Sequence, residues 1–254
     1  MINRTDDMLT LWRNSYKKND AIVGSGFMLS MIFLCIMIFI LPPLLYALGC
    51  RGMSISCPCL VLLAMLPPLS FIIAVTLTLS SKYGFRRMLR GMKLLRFRFS
   101  MVISCGFTAV ALMFFLAPLT IVTKTVIEKL GFPVEEPVFV QLLQQTSGPC
   151  LWALIFTVIV IAPIAEELMF RRFIFGFLAP YLGFVPAMVF TAGLFAAVHS
   201  SLLQLPALFL LGIAFQMSCL YYRSLWGGII LHSINNAISV TVLLLGSYMG
   251  LQMH

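Results

Sequence analysis

Long uninterrupted runs of apolar residues constrain this chain more than any other feature. Several of them exceed the roughly 18 residues that an α-helix needs to cross a bilayer. In lipid only helices and closed barrels satisfy every backbone hydrogen bond, and runs of this length indicate helices. Because 61% of the residues are hydrophobic and 10% are charged, no polar stretch remains that could fold as a separate soluble domain. The sequence therefore predicts an all-α, polytopic transmembrane helical bundle.

The apolar runs predict about seven to eight spans, seven of which can be given boundaries. A polar, basic arm of residues 1–20 precedes them, and the first run lacks the small-residue site at which a signal peptide is cleaved, so we expect it to be retained. Pro42 and Pro43 are expected to kink or end this first span. The predicted spans are residues 21–48, 60–80, 100–122, 150–178, 185–199, 202–221 and 226–249.

Seven cations and no acid lie in residues 81–99, and this segment marks the topology of the chain. Lys and Arg concentrate in cytoplasmic loops, and a cytoplasmic amino terminus puts all but Arg51, Lys124 and Lys129 of the 17 cations on that side. Interleaved Leu and Met residues predict an amphipathic helix on an anionic membrane surface. Topology thus explains the net charge of +9, and we predict the lipid bilayer as a partner and no nucleic acid.

Glu166 and Glu167 are the only acidic residues inside a long apolar run, which covers residues 150–178. A carboxylate at membrane depth is costly, so such residues usually line a polar cavity and mark function. Glu167 has a structural explanation, because Arg171 lies four residues on, on the same helix face. Glu166 points about 100° away, and its neighbour at that spacing is Phe170. Glu166 is therefore the candidate for a functional role.

Two of the three histidines, His199 and His232, also lie in apolar surroundings. One buried histidine is more often a packing residue, but two of them with an unpaired glutamate favour a polar site. Asn236 follows His232 by four residues, so both project from one face and offer two donors to a developing oxyanion. The alternative for Asn236 is a hydrogen bond between helices, which is common in membrane bundles. Phe195, four residues before His199, places an aromatic ring beside that imidazole.

This set of groups, without a serine or cysteine nucleophile, suits the activation of water. A carboxylate removed from water can take a proton from a water molecule, and a histidine can orient that water or protonate the leaving amine. A divalent metal can activate water as well, but HExxH is absent, and one glutamate with two histidines on three spans is a non-specific ligand set. We therefore favour a metal-free site without a cofactor and leave a divalent metal open.

Three motifs follow one another on successive apolar helices: EExxxR at Glu166, Glu167 and Arg171, FxxxH at Phe195 and His199, and HxxxN at His232 and Asn236. Together, over about residues 150–240, they resemble the CPBP family of intramembrane proteases, also called the Abi family. This family contains CAAX proteases, including the type II CAAX prenyl endopeptidase, and bacteriocin-processing enzymes. The resemblance implies an all-helical membrane fold and a glutamate-dependent endopeptidase for membrane-associated protein or peptide substrates.

The resemblance also assigns roles by motif position. It implies a catalytic region in residues 150–254, after N-terminal spans in residues 21–149. The compactness of this multi-pass chain suggests a bacterial protein, and hence one of the inner (plasma) membrane. Glu166 would be the water-activating base with His199 as its partner, His232 and Asn236 would be the oxyanion donors, and Glu167, Arg171 and Phe195 would support them.

Two other classes of function stay open. The family also contains members that act in bacteriocin immunity or as scaffolds, and such a protein would keep its function after Glu166→Gln. A proton-coupled transporter would use intramembrane Glu and His residues as a relay. An internal inverted repeat would support the transporter, and the sequence shows none.

The depth of the site residues poses a geometric problem. Along straight helices, His199 falls near the outer end of its span and Glu166 toward the inner half of its own. The two can meet only if residues 185–199 are shifted, tilted or broken, with Gly183, Pro186 and Gly193 as candidate break points. We expect the carboxylate and both imidazoles to surround one water-accessible cavity that opens to the cytoplasmic side.

Overall fold

The computed structural model describes residues 20–37, 57–134 and 137–248. Three parts of the sequence-based prediction lie outside these ranges: residues 1–19 of the polar arm, the first span beyond residue 37, and the two prolines at 42 and 43 within it. The described ranges contain helices and no strand. Nine helices follow in chain order: α1 (Ala21–Cys35), α2 (Cys57–Tyr83), α3 (Phe85–Gly91), α4 (Phe99–Lys129), α5 (Val138–Gln145), α6 (Gly148–Leu182), α7 (Phe184–Ala197), α8 (Leu205–Tyr222) and α9 (Leu225–Tyr248).

Five of these helices are long and apolar enough to cross a membrane: α4, α6, α8, and the segments Met65–Tyr83 of α2 and Leu225–Gly246 of α9. The predicted polytopic helical bundle is thereby confirmed. Two shorter apolar helices, α1 and α7, begin two of the other predicted spans. At 1.5 Å per residue, α7 reaches about 21 Å, which is less than the roughly 30 Å of a bilayer core. Residues 185–199 therefore do not cross the membrane as one helix.

Helix α6, which carries both glutamates, contains two π-helical turns, at Thr157–Ile161 and Glu167–Ile174. Pro163 lies between them and has no backbone N–H to give to the carbonyl of residue 159, which favours a local change of hydrogen-bond pattern. All eight residues of the second turn are buried. Gly183, with φ at +86°, ends α6 and begins α7. The predicted break thus lies at Gly183, before α7.

Residues 84–98, here called the basic segment, are only partly helical. The predicted amphipathic helix is limited to the seven residues of α3, and the chain then runs irregularly to α4. The backbone of this irregular part is bound by the start of α9: the carbonyl of Lys93 accepts from the Leu225 amide at 3.1 Å, and that of Leu94 from the Trp226 indole at 2.7 Å. The basic segment therefore lies against the α8–α9 turn.

The core surrounds the carboxyl half of α6. Helix α7 packs on α8, α8 on α9 and α9 on α4, while α1 packs on the second π-helical turn. Five phenylalanines of this core, among the described residues, are almost fully buried, namely Phe71, Phe170, Phe173, Phe195 and Phe215. Gly212 of α8 lies directly against Ala192 of α7, where an added Cβ would come within 3.1 Å of the alanine side chain. This close approach brings α7 and α8 together beside the glutamates.

Candidate functional site

Glu167 is the centre of a buried ionic cluster. Its side chain is 0% exposed, and its Oε1 lies 3.2 Å from Nη1 of Arg171 and 3.1 Å from Nδ1 of His232. The predicted pairing of Glu167 with Arg171 is thus confirmed. A buried carboxylate is stable only when such partners compensate its charge. Glu167 therefore holds the imidazole of His232 and the guanidinium of Arg171 in place.

Glu166 has a different environment from its neighbour. Its side chain is 25% exposed, and its Oε2 lies 3.8 Å from Nε2 of His232, beyond hydrogen-bond distance. Among the described residues, this oxygen has no hydrogen-bond partner. Since Nδ1 of His232 donates to the Glu167 carboxylate, the opposite ring nitrogen is the one that faces Glu166. His232 therefore lies between a compensated carboxylate and one that has no donor.

Aromatic rings fix the position of His232. Phe215 stacks on its imidazole with centroids 4.5 Å apart and an interplanar angle of 17°. Phe195 meets the same imidazole edge-on, with centroids 5.8 Å apart. The guanidinium of Arg171 lies 4.3 Å from the Phe195 ring centroid, within cation–π distance. The cluster is thus enclosed by apolar rings that restrict its side chains.

His199 lies two residues beyond the last residue of α7 and contacts Phe195, one of the aromatic rings that enclose the cluster. Its ring centroid is 4.8 Å from that of Phe195, which confirms the predicted contact within the FxxxH motif. Nδ1 of His199 donates to the Phe195 carbonyl at 2.7 Å, so in the neutral imidazole Nε2 is an acceptor. Phe195 therefore contacts both imidazoles.

The contacts of His199 bear on the depth problem. Helix α7 ends at Ala197, and His199 lies in the chain that follows it. Within the described residues, no hydrogen bond or ion pair joins Glu166 to His199; the two are connected through His232 and Phe195. The structure thus places both imidazoles and Glu166 in one region of the bundle.

Asn236 makes the contact between helices that was the alternative to an oxyanion role. Its Nδ2 donates to the carbonyl of Val158 at 2.9 Å, in the first π-helical turn of α6. No contact among the described residues joins Asn236 to His232, so their convergence on one point stays a prediction. An amide nitrogen carries two hydrogens, and the bond to Val158 uses one and orients the other.

A cavity of about 180 Å³ lies beside His199. Its wall includes Ser200 and Ser201 from the α7–α8 loop, and Pro133 and Val134 from the chain after α4. Of the three groups expected around one cavity, only His199 lines this one. Both wall segments of this cavity lie at helix ends remote from the basic segment, and a cavity around all three groups that opens to the cytoplasmic side stays a prediction.

Three features of the site were not predicted from the sequence. Phe215 stacks on His232 from another helix, and nothing near Phe215 in the sequence indicates this. Gly228 allows α9 to approach Glu167, because an added Cβ would lie 2.5 Å from Glu167 Oε2 and from Cys219 Sγ. The Gly227–Gly228 pair in an apolar run is a signal that could have indicated this close approach. The third feature is the pair of π-helical turns.

Within the described ranges, no three His, Cys, Asp or Glu side chains lie close enough together to hold a metal ion. The metal-free site without a cofactor stays a prediction.

Comparison with known proteins gives one match. Residues 146–238, a little more than a third of the chain, match the family model described as Type II CAAX prenyl endopeptidase Rce1-like. No curated protein and no solved structure is significantly similar to the chain. The matched segment contains all three motifs, from Glu166 to Asn236, and the family is one of membrane proteases. Residues 146–238 of this integral membrane protein therefore match the Rce1-like domain of the CAAX protease family, in agreement with the resemblance that the motifs indicate.

Proposed function

We propose that this protein is an intramembrane endopeptidase that hydrolyses a peptide bond of a membrane-associated protein or peptide, of CAAX or bacteriocin type. The observation that carries the proposal is the contrast between two adjacent carboxylates. Oε1 of the fully buried Glu167 is bound by Arg171 and His232, and its Oε2 has no hydrogen-bond partner among the described residues. Glu166 is 25% exposed, its Oε2 also has no such partner, and Nε2 of His232 lies 3.8 Å away. A partly exposed carboxylate that is not held by an arginine can act as a general base.

The charges of the cluster suggest a role for each of its groups. Glu166 and Glu167 bring two negative charges, Arg171 brings one positive charge, and a protonated His232 would bring the second. In that state Nδ1–H of His232 donates to Glu167, and Nε2–H points toward Glu166 and the water bound there. The cluster is then neutral before reaction, which suits its apolar surroundings.

The reaction follows from this arrangement. Glu166 takes a proton from water while the water oxygen attacks the peptide carbonyl carbon, and the carbonyl oxygen becomes an oxyanion. His232 Nε2–H and the second N–H of Asn236 stabilise this oxyanion, where one such donor contributes about 2.7–4 kcal/mol. When the C–N bond breaks, the proton held by Glu166 passes to Nε2 of His199, which accepts it and then donates it to the leaving amine.

The location follows from the charge pattern. We place the basic segment and the amino terminus on the cytoplasmic side, because Lys and Arg concentrate in cytoplasmic loops. The compactness of the chain favours a bacterial inner membrane.

Glu166→Gln tests the proposal directly. It keeps the shape of the side chain but removes the base, so we expect cleavage to fall at least about 100-fold, the lower limit for general base catalysis. The substrate is identified by comparing membrane-associated peptides in cells that carry the wild type with those in cells that carry Glu166→Gln. Glu128→Gln is the matched control, because Glu128 is exposed on α4 and pairs only loosely with Lys124, at 3.9 Å.

The same comparison separates the alternatives. An immunity or scaffold protein would keep its function in Glu166→Gln, and identical peptide profiles for wild type and variant would refute proteolysis. His199→Ala and Asn236→Ala extend the test, with an expected loss of about 100-fold for each if they serve as proton-transfer partner and oxyanion donor.

A further inference from the structure

Gln216 of α8 is a buried polar residue that the proposed reaction does not use. It is 2% exposed, and neither Oε1 nor Nε2 of its amide has a hydrogen-bond partner among the described residues. A buried amide that gives up its hydrogen bonds to water and gains none destabilises the fold. Such a group therefore needs an explanation.

The face of α8 that carries Gln216 meets the glutamate cluster. The buried residues of this helix are Leu211, Gly212, Phe215, Gln216 and Cys219. Cys219 follows Gln216 by three residues and borders Glu167, because an added Cβ at Gly228 would lie 2.5 Å both from Cys219 Sγ and from Glu167 Oε2. Gln216 thus belongs to the part of α8 that packs beside the carboxylates.

Arg171 contacts the turn of α8 that ends at Gln216. Its Nη2 donates to the Gly212 carbonyl at 3.4 Å, and its guanidinium carbon lies 5.3 Å from the centroid of the Phe215 ring. Side chains of an α-helix lean toward its amino terminus, so the side chain of Gln216 extends toward the turn that contains Gly212, four residues earlier. Helix geometry therefore directs the amide of Gln216 to the region that the guanidinium of Arg171 occupies.

The guanidinium of Arg171 has hydrogen-bonding capacity left. It carries five N–H groups and is almost fully buried. Its Nη1 lies 3.2 Å from Glu167 Oε1 but makes no hydrogen bond among the described residues. Internal water molecules typically make about three hydrogen bonds to buried polar groups of this kind. One water that accepts from Nη1 and donates to Oε1 of Gln216 satisfies both side chains.

Resting on the proposed function, we propose that Gln216 is a positioning residue of the protease. Its amide binds one internal water, and this water binds Nη1 of Arg171, so that the guanidinium is fixed. Arg171 in turn holds Glu167, and Glu167 holds His232. The water bridge contacts neither the substrate nor the attacking water, and it acts through the orientation of His232.

Gln216→Met tests the bridge, because methionine has nearly the same length and no amide. We expect the unfolding temperature to fall, because the variant loses the bridge and leaves Nη1 of Arg171 buried without a partner. If the amide has no partner, the same substitution removes an unsatisfied polar group and raises the unfolding temperature. An unchanged or higher unfolding temperature therefore overturns the proposal.

Kinetics separate a positioning role from an effect on stability alone. On the substrate identified through Glu166→Gln, kcat of folded Gln216→Met should fall at least about tenfold, equal to a barrier rise of about 1.4 kcal/mol, with KM unchanged. Ser30→Ala is the matched control. The buried Ser30 hydroxyl donates to the Gly26 carbonyl of its own helix at 2.8 Å, so its loss should leave kcat unchanged. A kcat of Gln216→Met equal to that of the wild type overturns the positioning role.

A crystal structure of the wild type at a resolution that shows ordered water molecules needs neither a folded variant nor a substrate. We expect a water within about 3.2 Å of both Nη1 of Arg171 and the amide of Gln216. A site without this water, or an amide that binds another group directly, overturns the bridge. Neither this structure nor the unfolding temperature depends on catalysis. A failure of the protease assignment is therefore recognised separately, by retained cleavage in Glu166→Gln.

Discussion

Arg171 and Arg172 are adjacent in the sequence, yet they belong to two ionic clusters of different kinds. The glutamate cluster consists of Glu166, Glu167, Arg171 and His232, enclosed by aromatic rings. The arginine anchor consists of Arg172 with the Gly91 carbonyl and the Asp20 carboxylate, which lies 3.1 Å from Nη2 of Arg172. Both arginines are 3% exposed.

The two clusters differ in how their carboxylates are used. Asp20 accepts from Arg172 and also from the Ile22 and Val23 amides at the start of α1. All of these contacts of the Asp20 carboxylate stabilise the fold. The anchor thereby ties α1 and the basic segment to α6. In the glutamate cluster, Glu167 stabilises the fold through such contacts, whereas Glu166 does not. Buried ions by themselves can be purely structural. A carboxylate in a buried cluster that does not stabilise the fold is a more specific sign of function.

The largest difference expected between the two glutamates is one of stability. Glu167→Gln should lower the free energy of unfolding by about 3–5 kcal/mol, because it leaves Arg171 buried without its partner. Glu166→Gln should change it by less than about 1 kcal/mol, because Oε2 of Glu166 has no donor to lose. Thermal unfolding of both variants in the same detergent measures the difference. Equal destabilisation would contradict the distinction between them.

Close packing of α9 on the glutamate cluster should be sensitive to one added methyl group. Gly228→Ala would push a Cβ to 2.5 Å from Glu167 Oε2 and Cys219 Sγ, and we expect a loss of about 1–3 kcal/mol. Gly193→Ala in α7 is the matched control, because nothing lies within 4 Å of its added Cβ and alanine is the better helix former. The prediction fails if the two variants unfold at the same temperature.

The arginine anchor should respond to loss of charge alone. Asp20→Asn keeps a side chain that can cap α1 but removes the negative charge opposite Arg172. Because the Asp20 side chain is 31% exposed, we expect an intermediate loss of about 1–2 kcal/mol, between the values for surface and buried pairs. Unfolding temperatures of Asp20→Asn and wild type give the result, and cleavage at a temperature where both are folded should be similar.

The smallest effect is expected from Lys93, beside the anchor. Burial, together with the nearby Arg172, lowers the pKa of Lys93 to about 7. Between pH 7 and its ordinary pKa, the unfolded chain binds the proton that the folded chain has lost, so stability rises with pH. The expected rise from pH 7 to pH 8 is at most about 1 kcal/mol, and it should disappear in Lys93→Met. Lys82→Met, at an exposed site, should keep the slope of the wild type.

The sequence predicted the contacts that the geometry of a single helix determines. The pairs Glu167–Arg171 and Phe195–His199 are four residues apart, and the contacts within them follow from helix geometry. The apolar runs predicted the bundle because a bilayer imposes both length and hydrogen bonding on its spans. Contacts between elements distant in sequence were not predicted, among them Phe215 on His232 and Asp20 with Arg172. Residue spacing shows which side chains share a helix face, but it does not show which other helix packs against that face.

The local irregularities also lay beyond sequence reasoning. A regular helical repeat assumes an unbroken ladder of i to i+4 bonds, and the π-helical turns of α6 depart from it. The end of α7 was predicted two residues too late for a related reason. His199 continues an apolar run, but the helix ends at Ala197, where the chain turns toward Ser200 with its left-handed backbone. These departures occur at the site itself.

The central claim is that Glu166 is the base because it is the carboxylate that the fold does not use. The most direct measurement is the cleavage rate of purified Glu166→Gln beside the wild type, on one identified substrate, with unfolding temperatures recorded for both. The account predicts a rate at least about 100-fold lower at an unchanged unfolding temperature. A folded Glu166→Gln protein that cleaves at the rate of the wild type would contradict it.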